Sequence, residues 1–419
     1  MVTSTVRPRG TTRLTGRGGR WRTMAAVLAA GAVLLSAGCS GDESPSWQGG
    51  SQGDGGSASA APTARQASVA VTSPEADATG VEALTEIKLS SDDPSSIEVT
   101  VKSADGDEVD GTLDKEALVW KPAKALSWGT KYTVAVTGAA GDGKVGENTS
   151  SFTVMKKPEK LVRVTSFLGD GNVVGVAMPL IIKFGRAVPE KSRADVQRRM
   201  TVTATPSQEG IWRWTSATEM HYRPKTYWQA NSKISYKVAL QGVPMGDGWY
   251  GRSDLTVDLK VGRSMVMTVD NKTKKMTVVE NGKTIKTIPV SLGKPKTPSS
   301  SGTMVVIEKK KHTVFDTMEE LGPEEGYRTE IDYAQRITWS GQFIHAAPWS
   351  EGVQGKRNVS HGCVNVSMAM GKWLFDRTMM GDPITVKGTE EKLKNGNGWT
   401  DWNMSWDQYV KGSAVPLNS

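Results

Sequence analysis

Two cysteines are all that 419 residues contain, Cys39 and Cys363. Each sits in a motif that accounts for it, so no structural disulfide is expected and the folded parts must be held by burial and hydrogen bonding. Long apolar runs are missing too. The run from Met24 toward Cys39 is about fourteen residues, against the roughly twenty that cross a bilayer comfortably. Histidine is scarce, four in all, yet His345 and His361 both lie near Cys363. Acidic residues are absent from positions 1–23, which carry arginines at 7, 9, 13, 17, 20 and 22 with no Arg-Arg pair, so a twin-arginine export route lacks support.

A charged start, a short apolar core and small residues before a cysteine make a secretory signal. Leu35-Ser36-Ala37-Gly38-Cys39 resembles a bacterial lipobox, departing from it at Ser36, where an aliphatic residue is usual. The resemblance implies a signal peptide over 1–38 and acyl chains on Cys39. The protein would then be exported and lipid-anchored to the outer face of the cytoplasmic membrane. Removing the signal takes six arginines from a formal charge of +8 and leaves +2. A nearly balanced mature chain disfavours a nucleic-acid partner.

Residues 39–78 read as a Gly/Ser/Ala-rich tether with too few bulky apolar side chains to offset its ordering entropy. A flexible chain of about 35 residues would hold the folded part roughly 30–35 Å from the anchor. The strands and turns that follow predict two tandem immunoglobulin-like β-sandwiches, over 79–157 and 158–262. Trp120-Lys-Pro122, Leu126, Gly129 and Tyr132-Thr-Val134 are answered by Tyr222-Arg-Pro224, Trp228, Asn231 and Tyr236-Lys-Val238. That spacing suits a repeated sandwich. These modules serve as spacers, or bind glycan through exposed aromatics.

A β-rich unit over 263–388 comes next. Asn281-Gly282 between alternating strands signals a hairpin, because both residues tolerate the positive φ of a type I′ turn. Strands are expected at 303–309 and 338–345. Ser367 can cap a short helix bearing Met370, Trp373 and Leu374, stopped by Gly381 and Pro383. The Trp-rich extension 389–419, with Trp399, Trp402 and Trp406, is expected to pack back on this unit. The fold class is mainly β, with one or two short helices.

The chemistry gathers around Ser360-His361-Gly362-Cys363-Val364-Asn365. A thiol at its free pKa is mostly protonated at neutral pH, so a nucleophilic cysteine wants a base within reach. His345, at a strand end, is the better base. His361 is two residues from Cys363, and a turn at Gly362 would separate their side chains. Backbone N–H groups around Gly362 and Cys363 can stabilise an oxyanion.

His345, fourteen residues, then Ser360-His-Gly-Cys-Val-Asn365 resembles the signature of the L,D-transpeptidases of bacterial cell walls. Gly326-Tyr327-Arg328-Thr329, the segment Phe343–Trp349, Gly355, Asn365-Val-Ser367 and Asp401-Trp-Asn-x-x-Trp406-Asp-Gln are similar to the actinobacterial members, which are lipoprotein-like with tandem immunoglobulin-like domains. The resemblance implies Cys363 as acylated nucleophile, His345 as base and the Ala346 carbonyl orienting it. Ser360, His361, Gly362 and Asn365 would shape the turn and oxyanion site. Tyr327 would lie in a lid, with Phe343, Trp349 and Asn365 touching substrate. It implies a tetrapeptide stem as donor, a stem amine as acceptor, a 3→3 cross-link as product and carbapenems as covalent inhibitors, with no cofactor and no metal. Water in place of the amine would give an L,D-carboxypeptidase.

Rival readings have less behind them. A papain-like peptidase runs Cys before His in the chain, the reverse of the order here. Ser291-Leu-Gly-Lys294 has the Ser-x-x-Lys spacing of a penicillin-binding protein but lacks that family's companion motifs. His345, His361 and Cys363 are suitable zinc ligands by type. A wall-binding lipoprotein with an inert thiol would belong to a different class altogether.

Overall fold

The computed structural model describes residues 68–139, 145–316, 318, 322 and 328–417. The expected signal, Cys39, most of the tether and Tyr327 lie outside them.

Two four-stranded sheets form the first sandwich. One joins Val69–Ser73, Ile87–Ser91, Val119–Pro122 and Gly111–Asp114; the other joins Ala78–Val81, Val145–Val154, Lys131–Ala139 and Glu98–Ser103. Its first strand falls inside the segment expected to be tether. Val69-Ala-Val-Thr-Ser is small and polar enough to pass for linker, yet it pairs antiparallel with Ile87–Ser91 and buries Val69. The sandwich therefore begins about ten residues earlier than the expected 79.

The second sandwich repeats the connectivity strand for strand. Val164–Ser166, Leu180–Phe184, Glu219–Pro224 and Gly210–Ser216 form one sheet, with Val173–Val174, Leu255–Val261, Lys233–Val238 and Met200–Thr205 forming the other. The repeat visible in the sequence falls on equivalent strands. Trp120 and Tyr222 are buried on one pair of strands, Tyr132 and Tyr236 on the next. Between them Gly129 and Asn231 both take positive φ, +70° and +64°. Glycine and asparagine tolerate that region best, so the turn dictates this residue pair. A helix absent from the sequence reading, α1 (Glu190–Arg198), crosses between two strands of this sandwich.

The third unit starts with β1 (Met265–Asp270), β2 (Lys275–Glu280) and β3 (Lys283–Pro289), turning at Asn281-Gly282 as expected. There follow β4 (Ser300–Val305), β5 (Glu308–Asp316), β6 (Arg328–Arg336), β7 (Phe343–Ala346), β8 (Val364–Val366), β9 (Pro383–Lys387) and β10 (Glu391–Lys392). A six-stranded sheet runs β3-β2-β1-β9-β4-β10, and a four-stranded sheet runs β5-β6-β7-β8. Met265, Met267, Met276, Val278, Met304 and Ile384 from the first pack with Ile344, Val364 and Val366 from the second. Helix α2 (Met368–Arg377) begins at Ser367, whose hydroxyl accepts the Met370 N–H, and buries Leu374 in the same core.

The Trp-rich extension corrects its expected docking. Its first part does meet the β-rich unit: β10 pairs with β4, Leu393 joins the core, and Asn403 accepts the Thr303 N–H at 3.2 Å. Most of it packs on the second sandwich. The buried Arg223 guanidinium lies 4.4 Å from the ring centroid of Trp402, 4.4 Å from that of Tyr409 and 5.2 Å from that of Trp406. One desolvated cation facing three rings is an organising contact. Helix α3 (Trp406–Val410) carries two of those rings, and the Tyr409 hydroxyl donates to the His221 carbonyl at 2.9 Å. Beneath them His221 is held between Asp401 and Glu219, 2.9 Å from each.

Candidate active site

Two strands distant in the chain but adjacent in space carry the reactive groups. β7 and β8 run parallel, with Ile344 opposite Val364, His345 opposite Asn365 and Ala346 opposite Val366. Side chains alternate along a strand, so His345, Asn365 and Cys363 share one side while Ile344, Val364 and Val366 enter the core. The shared side opens into a cavity of about 470 Å³. Phe315, Thr329 and Ile331 from β5 and β6 wall it, as do Trp349 and the Val359–His361 segment.

His345 is buried, and its Nδ1 lies 2.8 Å from the Ala346 carbonyl oxygen. A carbonyl only accepts, so Nδ1 holds the proton and Nε2 keeps its lone pair. Burial pulls the ring's pKa below its ordinary value, partly offset by that carbonyl. The imidazole is therefore neutral and able to accept a proton at pH 7. Helix α2 supports this geometry from behind. A Cβ on Gly371 would lie 2.8 Å from the Ala346 Cβ and 3.0 Å from its backbone nitrogen, so only glycine lets the helix approach this closely.

Cys363 is 5 % exposed, and burial pushes its thiol up to about 12. The resting group is a protonated thiol whose Sγ lies 3.8 Å from the Gly341 carbonyl.

The turn before it is fixed by hydroxyls. Ser360 donates to the Cys363 carbonyl at 2.7 Å and accepts the Gly362 N–H at 3.1 Å; Ser299 donates to the Gly362 carbonyl at 2.7 Å. Gly362 has φ +120°, which side-chain-bearing residues rarely adopt. Its N–H, expected in the oxyanion site, is thus committed to Ser360 in this structure. Cavity wall His361 accepts a hydrogen bond from the Lys294 ammonium at 2.8 Å. Partial burial and that cation both lower its pKa.

Cys363, His345, Ala346, Ser360, His361, Gly362, Asn365 and Trp349 are thus brought together. Phe343 is a correction. It is absent from the cavity wall and packs instead with Ile331, Ala334 and Cys363, its ring 5.6 Å from Phe315. Ser291 is no nucleophile. It is fully buried, donates to the Arg357 carbonyl at 3.0 Å and accepts the Val359 N–H at 3.0 Å. Among the described residues no three His, Cys, Asp or Glu side chains converge as metal ligands. The sequence reading missed the β5–β6 hairpin, which pairs Phe315 with Thr329 and Thr313 with Ile331. Alternation in Thr313–Phe315 and Thr329–Ile331 was the available signal.

Known protein families match two parts of the chain. Residues 78–244 match the family model of a bacterial Ig domain, and residues 264–386 that of an L,D-transpeptidase catalytic domain. The chain is 33 % identical over 320 residues to L,D-transpeptidase 2 of Mycobacterium tuberculosis (strain CDC 1551 / Oshkosh), covering 75 % of this chain and 78 % of that one. L,D-transpeptidase 5 of M. tuberculosis (strain ATCC 25618 / H37Rv) is 31 % identical over 328 residues, 76 % of this chain and 71 % of its own. A solved L,D-transpeptidase in complex with imipenem aligns at 30 % identity and a TM-score of 0.47, covering 55 % of this chain and 100 % of that one. With a family-matched catalytic unit and a relative matched over more than two thirds of its length, the chain belongs to the L,D-transpeptidase family.

Proposed function

We propose that the chain joins peptidoglycan stems by 3→3 cross-links through a thioester on Cys363. The observation that carries this reading is a protonated, buried thiol sharing one strand face with a neutral imidazole whose Nδ1–H is pinned to the Ala346 carbonyl. Cys363 Sγ attacks the carbonyl linking the diamino acid at position 3 to D-Ala at position 4, and its proton passes to His345 Nε2. Collapse of the tetrahedral intermediate breaks the C–N bond, and D-Ala leaves with that proton on its amine. A side-chain amine of a neighbouring stem then attacks the thioester and gives a proton to His345, which returns it to the departing sulfur.

The same site with water as acceptor would act as an L,D-carboxypeptidase, and a strained β-lactam carbonyl such as a carbapenem's could acylate the same thiol. The lipobox-like segment supports an anchor at Cys39, with the sandwiches spacing the catalytic unit into the wall. The test is mass spectrometry of products from a disaccharide-tetrapeptide, with Cys363→Ala alongside. D-Ala release with a cross-linked dimer, both missing in the variant, is expected. Release without dimer favours the carboxypeptidase; residual dimer from Cys363→Ala overturns the assignment.

A further inference from the structure

Ser291-Leu-Gly-Lys294 finds a use unrelated to the motif it resembles. Its backbone is tied to the catalytic turn: Ser291 bridges Asn365, Gly293 bridges Ser360, and the Lys294 N–H donates to the Ser360 carbonyl at 2.9 Å. The Thr297 N–H closes the turn on the Lys294 carbonyl at 2.9 Å. The Lys294 side chain, half-buried, thereby reaches His361 on the cavity wall.

An ammonium can only donate, so His361 Nε2 is the acceptor, and the neutral ring keeps its proton on Nδ1. Together they carry one positive charge. Among the described residues Lys294 makes no ion pair with a carboxylate. Nor does any lysine, arginine or carboxylate belong to the described cavity wall. Among the described residues Lys294 is thus a cation without a carboxylate partner, at the edge of a described wall that carries no other charge.

The proposed donor is anionic. A tetrapeptide stem carries a free carboxylate on its terminal D-Ala, one residue beyond the scissile carbonyl, and others where its acidic residues are not amidated. Leaving water for a cavity whose described wall is uncharged, such a group needs a cation and hydrogen-bond donors. We propose that Lys294, positioned by His361, is a specificity-determining residue that binds a free carboxylate of the donor stem. This rests on the stem-peptide reading above. The ammonium keeps further protons to donate to the ligand, while the hydrogen bond to His361 restricts the flexible lysine chain and lowers the entropy lost on binding.

The experiment is titration calorimetry of the donor disaccharide-tetrapeptide into Cys363→Ala protein, with and without Lys294→Met. We expect about tenfold weaker binding in the double variant, the loss of one partly shielded charge-assisted contact. Lys294→Arg should bind within a few-fold of the lysine protein. Donors amidated at one carboxyl at a time identify the source. The amide that removes the contacted carboxylate weakens binding to the lysine protein and makes Lys294→Met silent. Equal affinity with and without Lys294, or an equal loss on every amidated donor, overturns the proposal. Dimer formation by the unmutated protein is measured separately, so loss of the carboxylate site and loss of the transpeptidase reading remain distinguishable.

Discussion

The clamp at His221 makes stability depend on pH in a window set by one ring. His221 Nδ1 faces Asp401 at 2.9 Å and Nε2 faces Glu219 at 2.9 Å, wholly within the junction between the second sandwich and the C-terminal segment. Burial opposes charging the ring, but the Asp401 and Glu219 carboxylates overcome it and raise the pKa from 6.5 to about 9. A group with a raised folded pKa stabilises fully below its unfolded value. Its contribution is lost as pH rises through the folded value. The window therefore runs from about pH 6.5 to about 9, and the shift corresponds to roughly 3 kcal/mol. Asp401→Asn removes the larger attraction and should cost about 2 kcal/mol at pH 6. Urea unfolding followed by tryptophan fluorescence at pH 6, 7.5 and 9 measures this. The unmutated protein should weaken across the series while the variant changes much less, so that the two converge at pH 9. Parallel curves separated by a constant offset would refute the reasoning.

Other consequences follow from the site and its frame. Because burial depresses the His345 pKa, kcat/KM should rise through an acid limb lying below pH 6.5; stopped-flow release of D-Ala across pH about 4.5–10 checks it, and a limb near 8.5 would instead report thiolate formation. Gly371→Ala forces α2 off the Ala346 backbone and should cost about 1–3 kcal/mol while lowering kcat, read by thermal melting and turnover. Cys39→Ala should move the full-length protein from the membrane to the soluble exported fraction, and an unchanged partition would contradict the lipid anchor.

What could be read in the sequence was what scarcity or repetition marked. Cys363 and His345 stood out because thiols and imidazoles are rare here and chemically demanding. Both sandwiches stood out because an aromatic strand end and a left-handed turn residue recur at Gly129 and Asn231. Contacts between distant segments were not legible. Lys294 reaches His361 through strand bridges that no local pattern announces. The strand Val69–Ser73 looks like linker until Ile87–Ser91 pairs with it. Trp402 and Trp406 read as packing for the catalytic unit, while the cation that gathers them with Tyr409, Arg223, lies in the sandwich. Phe343 shares its strand with His345, but whether it lined the cavity or packed beside it depended on Phe315 from a hairpin that charged residues obscured.

The central claim is that the acyl group passes through Cys363. Mixing the protein with disaccharide-tetrapeptide in the absence of acceptor amine, quenching in acid and mapping the digest by mass spectrometry tests it directly. The peptide bearing Cys363 should gain the mass of the donor acyl group without D-Ala, and added stem amine should discharge it into dimer. An adduct on another residue, or D-Ala release with no thiol adduct and undiminished in Cys363→Ala, would contradict it.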